Sequence, residues 1–141
     1  MKKFALVAVL AVSTAFLAGC SHTPSSSSPM SLVPTVLAQT PDFTYETYTE
    51  KRFNELKGSE AFTVFVHSKS CGTCTKKNQQ IVDQAGDFTS GMILKMDWDG
   101  APKAFKDAYG VVKYDTFVRF DAAGNHTTNR GATVDEVRSG M

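Results

Sequence analysis

The stretch Ala61-Phe62-Thr63-Val64-Phe65-Val66 would place apolar side chains on both faces of an extended chain. A short run of this kind predicts a central strand covered on both sides by other elements. Immediately beyond it, Cys71-Gly72-Thr73-Cys74 opens a segment in which Cys74, Ile81, Val82 and Ala85 are apolar or small. Lys76, Lys77, Gln80 and Asp83 fall largely on the opposite side, which predicts a helix from Gly72 to about Ala85. A buried strand handing over to an amphipathic helix therefore carries both cysteines at its junction.

The rest of the pattern builds around that pair of elements. Residues 43–48 are aromatic-rich and read as an edge strand. Thr49 is placed to cap a helix over residues 50–57, which Gly58 ends. Residues 92–96 form the next strand. Ala101, Ala104, Phe105, Ala108 and Tyr109 then recur at helical spacing, with Pro102 tolerated in the first turn. Thr116–Phe120 is a strand that Ala123-Gly124-Asn125 turns into residues 126–128, and Thr133 with Glu136 makes a capping-box pattern for a short last helix. The order β-α-β-α-β-α-β-β-α predicts a small α/β domain, parallel where helices separate strands and antiparallel at the closing hairpin. No internal repeat is present.

Upstream, MKKFALVAVLAVSTAFLAGC has the layout of a secretory signal: two lysines, then an apolar run too short for a spanning helix. Its end, Leu17-Ala18-Gly19-Cys20, resembles the lipobox of bacterial lipoproteins, which implies removal of residues 1–19 and acylation of Cys20. Ser21 resembles the pattern exported to the outer membrane, facing the periplasm, in a diderm host. Residues 20–42 are Ser/Pro-rich and read as a tether, since so few large apolar groups cannot repay the entropy of ordering. About 20 flexible residues reach roughly 25 Å. His22 lies in this tether and has no assigned role. Residues 43–141 are left for one domain with one core. Without Lys2 and Lys3 the 15 Lys+Arg become 13, against 14 Asp+Glu. A nearly neutral chain argues against nucleic acid as a partner and leaves lipid, rather than charge, as the route to a membrane.

Cys71 at a helix N-terminus meets unpaired N–H groups and the positive end of the dipole, both of which favour a thiolate. Cys74, one turn on, points back at it, so one thiol can attack a disulfide and the other can resolve the mixed disulfide. Other readings of the pair remain open: a structural or transported metal, inert buried thiols, or a structural disulfide. Structural zinc takes four ligands, and no second Cys-x-x-Cys exists; His67 and His126 have no telling spacing. An exported protein meets oxidants and redox partners, which favours redox chemistry. Lys69 and Lys76 flank the pair as surface lysines. Trp98, between Asp97 and Asp99, is expected to pack at a strand end.

Residues 62–66, Cys71-Gly72-Thr73-Cys74 opening a helix, Lys95-Met96-Asp97, Tyr109-Gly110-Val111 and Thr116–Phe120 with Gly124 together resemble the thioredoxin family, over nearly all of residues 43–141. The resemblance implies a three-layer fold, Cys71 as attacking and Cys74 as resolving cysteine, and no organic cofactor. It also implies a disulfide-bearing protein substrate and a dithiol electron donor. A thioredoxin-fold module that binds a protein partner or a thiophilic metal such as Cu(I) is the alternative.

Three departures stand out. Ser70 replaces the family's tryptophan before the first cysteine, and Phe65 replaces its buried acid. Asp115 occupies the place of the cis-proline before Thr116. A polar residue before Thr-Phe-Val resembles a subset of exported thioredoxin-like proteins. A non-proline cis bond costs about 2.5–4 kcal/mol, so a trans peptide is expected at Asp115. A carboxylate about 6 Å from Cys71 would disfavour the thiolate by roughly 3 kcal/mol at an effective dielectric near 20. The helix terminus favours the thiolate by only about 1–2 kcal/mol, so the expectation is a reducing couple. Asp115 has two other readings: a proton acceptor for the pair, or a solvated loop acid.

Overall fold

The computed structural model of the chain describes residues 35–40 and 42–141. The leader 1–19, Cys20, His22 and the tether through residue 34 lie outside the described residues. The strands are β1 (Val36–Gln39), β2 (Phe43–Thr47), β3 (Phe62–His67), β4 (Gly91–Asp97), β5 (Thr116–Phe120) and β6 (His126–Arg130). The helices are α1 (Glu50–Leu56), α2 (Gly72–Asp83), α3 (Lys103–Ala108) and α4 (Val134–Ser139), with a 3-10 turn at Ala85–Asp87.

One mixed sheet runs in the order β1-β2-β4-β3-β5-β6. β2, β4 and β3 pair in parallel, whereas β1, β5 and β6 join antiparallel. Every residue of β3 is buried, as expected of a strand apolar on both faces. Its alternate side chains feed two cores. Phe62, Val64 and Val66 pack with Phe53 and Leu56 of α1 and Phe105 of α3; Phe65 packs with Cys74 and Ile81 of α2 and Val134 of α4. Two helices on each face make the expected three layers. Among the described residues, no helix is long and apolar enough to cross a membrane.

Local signals placed the helix ends. Thr49 Oγ1 accepts from Arg52 N at 3.1 Å, and the capping box closes with Thr133 N donating to Glu136 Oε2 at 2.7 Å. That bond holds the Glu136 carboxyl below its usual range. Arg52 Nε reaches the buried Glu46 at 2.9 Å, tying α1 to β2.

The structure corrects the sequence reading at the domain's leading edge. Residues 36–39, assigned to the tether, form β1, so ordered sheet starts ahead of Phe43 and β2 is an inner strand. Three apolar residues hidden in Ser/Pro-rich sequence suffice here, because the free edge of β2 supplies the hydrogen-bonding partners. Val36 pairs with Glu46 and Gln39 with Thr44, and Leu37 and Ala38 pack onto the core beneath α2.

Candidate active site

Cys71 ends the β3–α2 connection and is the N-cap of α2. Its amide donates to Ser68 O at 3.1 Å, and Ser68, itself buried, shares a 2.9 Å hydroxyl contact with Ser70. Small hydroxyl side chains thus shape the turn where the family has a tryptophan. The sulfurs of Cys71 and Cys74 are joined as a disulfide, with their Cα atoms 5.2 Å apart. Cys71 Sγ accepts from Cys74 N at 3.1 Å and lies 3.1 Å from Thr73 Oγ1. These are the contacts that hold charge on a thiolate at a helix N-terminus. No acid occupies the first turn of α2, and Asp83 is the first carboxylate along it. Cys71 retains 7% of its surface and Cys74 none, so an external disulfide can reach only Cys71.

Below the disulfide the floor is apolar. Phe65, at the place of the family's buried acid, is fully buried and stacks on Phe117 with ring centroids 4.4 Å apart. Lys95 stands in register with Phe65 on the neighbouring strand, and burial pushes its ammonium pKa down. His67, in register with Asp97, is also lowered, first by burial and then by Lys95 and Lys69, with Asp97 opposing. Lys69 is exposed and only 3.9 Å from Asp97. Trp98 packs half-buried at the strand end as expected, edge-on to Tyr114, with Lys106 Nζ 4.5 Å above its ring. His126 lies against Tyr109 at the far side of the sheet. Among the described residues, no three His, Cys, Asp or Glu side chains converge as metal ligands.

Asp115 is the one non-glycine residue with positive φ among those described, at 61°. Every described peptide bond is trans. Two contacts hold this bend. Gly131 N donates to Asp115 O at 2.7 Å, and Lys77 Nζ donates to Asp115 Oδ1 at 2.6 Å. The pair is mostly covered, with side-chain exposures of 13% for Lys77 and 20% for Asp115. Asp115 thus stands beside the cysteines as a paired carboxylate, and Lys77 offsets part of the charge that the sequence reading set against Cys71. The helical pattern puts Lys77 largely opposite the apolar positions of α2. Its position three residues after Cys74 and four before Ile81 places it beside the buried stripe, next to Asn78, which accepts from the buried Tyr45 hydroxyl at 2.9 Å. The i+3 spacing from Cys74 admits this side without fixing it, and an acid in a proline's place was the reason to seek a partner for it. Thr73, Lys113, Tyr114, Asp115, Arg130 and Gly131 line an open groove of about 430 Å³ beside the disulfide.

No protein-family model and no curated protein matches the chain in sequence. Solved structures match it in fold. Trxlp from Edwardsiella tarda superposes with a TM-score of 0.57 at 17% identity, over 68% of this chain and 95% of its own. Thioredoxin from Fasciola hepatica gives 0.52 at 24% identity, over 64% of this chain and 86% of its own. Thioredoxin f from spinach chloroplast gives 0.56 at 17% identity, over 70% and 89%.

Proposed function

We propose, taking the thioredoxin fold of this chain as premise, that it is a thiol–disulfide oxidoreductase of the cell envelope. The observation that carries the reading is the Cys71–Cys74 disulfide at the head of α2, open to attack at Cys71 and closed at Cys74. In the reduced protein, Cys71 thiolate attacks one sulfur of a substrate disulfide. The substrate S–S bond breaks, a Cys71–substrate disulfide forms, and the first substrate thiolate leaves. Cys74, deprotonated, then attacks Cys71 Sγ, releasing the second substrate thiolate and leaving the Cys71–Cys74 disulfide. Two electrons pass to the substrate, and the two protons shed by the cysteines balance those the products take up. A dithiol protein outside the cytosol restores the pair by the same exchange in reverse, so electrons arrive and leave as thiols and no organic cofactor is required.

Cys20 carries the lipid in this proposal, holding the domain at the outer membrane, facing the periplasm, in a diderm host. Loss of palmitate labelling in Cys20→Ser, with the labelled protein otherwise in the membrane fraction, tests that part.

The redox part is tested by equilibrating the protein in graded thiol–disulfide buffers and trapping free thiols by alkylation. A reversible two-electron transition of Cys71 and Cys74 near thioredoxin's potential, about −270 mV, supports a reductase. A potential near −120 mV would make it an oxidant instead, and no reversible couple would refute the assignment.

A further inference from the structure

The residues lining the groove beside the disulfide carry more positive than negative charge. Asp115, the one carboxylate among the described residues that line it, is paired with Lys77 at 2.6 Å, and Glu136, which also feels Lys77, is held by the Thr133 cap, so both add little negative charge to the mouth. Lys113 and Arg130 line the same groove, are both exposed, and pair with no acid among the described residues. α2 adds its positive N-terminal end, twelve residues long with no acid in the first turn, and the exposed Lys76. Asp97, on the His67 side of the cysteines, has Lys69 within 3.9 Å. Apolar contact is available at the same mouth from half-buried Tyr114.

Resting on the oxidoreductase reading, we infer that the groove formed by Lys113, Tyr114, Arg130 and Gly131 selects disulfide substrates whose reactive cysteine is flanked by carboxylates. Such a segment lays its acids against Lys113 and Arg130 while its sulfur reaches Cys71. Lys77 serves this selection indirectly, by pairing with the carboxylate that lines the groove. Opposite charge at a cleft raises association rates, and salt screens the gain.

The test uses the reduced full-length protein and two quenched disulfide-linked peptides that differ only in having Glu or Lys beside each cysteine. The expected result is a kcat/KM at least about tenfold higher for the Glu peptide at low ionic strength, contracting towards equality in about 0.5 M salt. The double variant Lys113→Glu with Arg130→Glu reverses the preference, its fold being checked by circular dichroism and melting. Equal turnover of both peptides, or an acidic preference that survives the double variant, overturns the inference while leaving the oxidoreductase reading intact. Failure to reduce either peptide, with no reversible Cys71–Cys74 couple, overturns both.

Discussion

Replacing Lys77 by Met removes one charge from a mostly covered pair and leaves its partner in place. Asp115 and Thr73 share a groove, and Thr73 Oγ1 is 3.1 Å from Cys71 Sγ, so the freed carboxylate acts on the thiolate at short range. A unit charge roughly 8–10 Å away is worth about 2 kcal/mol at an effective dielectric near 20. That is somewhat more than one pKa unit on Cys71, upward in Lys77→Met. Asp115→Asn strands the cation instead and moves Cys71 downward by a similar amount. The double variant, with neither charge, returns close to wild type. The assay is the pH dependence of Cys71 alkylation in the reduced protein, followed on its own peptide by mass spectrometry. A purely structural role for the pair predicts a different pattern: both single variants loosen the Asp115 bend and shift Cys71 in the same direction, with no restoration in the double. That pattern, or no shift beyond about 0.3 units in either single variant, would refute the electrostatic reasoning. Stability should fall alongside, by about 2 kcal/mol for a lost charge-assisted hydrogen bond, which lowers the melting temperature by about 8 °C in a domain of this size.

Asp115→Gly and Asp115→Ala both lose the ion pair, but only Gly accepts φ 61° without a Cβ penalty. Urea unfolding should find the Gly variant more stable than the Ala variant by about 1–2 kcal/mol. His67 is held neutral in the fold by burial, Lys95 and Lys69, while the unfolded chain protonates it near its ordinary value of about 6.5. The unfolded state then binds the extra proton, so stability is full above about pH 6.5 and declines as the pH falls below it. His67→Gln should flatten that part of the melting-temperature profile. Phe53 of α1 packs edge-on against Phe62, Phe105, Tyr109 and Phe120 and is 6% exposed. Calorimetry of Phe53→Ala should show a loss of about 3–5 kcal/mol, a large part of what a small domain has.

Strands and helices past Phe43 were legible because each carried a signal that needs no tertiary knowledge. β3 announced its burial by being apolar on both faces, and α4 announced its start through Thr133 and Glu136. β1 was hidden for the converse reason. Val36-Leu37-Ala38 has no period of its own and becomes a strand only because β2 offers an open edge. The juxtaposition of the two sulfurs was equally legible, since three residues of helix bring Cys74 back to Cys71 whatever surrounds them, although spacing alone left their chemistry open. Lys77 was not: spacing along α2 allows it to face solvent or the β5 end, and only the approach of the chain at Asp115 decides between them.

That decision bears on how a thioredoxin fold works without its proline. Proline fixes φ and offers no donor, so it shapes the wall over the cysteines by covalent geometry alone. Here the wall is held by two non-covalent ties, Gly131 N to the Asp115 carbonyl and Lys77 to its carboxylate, around a backbone angle that proline cannot adopt. Asn or Asp at such an angle is strained far less than most residues, and only Asp also gives Lys77 a charged partner. The same side chain that makes the bend tolerable therefore recruits the cation that keeps the bend from opposing Cys71. Geometry and electrostatics are coupled at Asp115 in a way a proline does not couple them, and Asp115→Pro would break both. The expected result for that variant is a destabilised protein whose Cys71 reacts as in Asp115→Asn. Full stability in Asp115→Pro would show that the wall tolerates the family's usual geometry and that the left-handed bend is incidental.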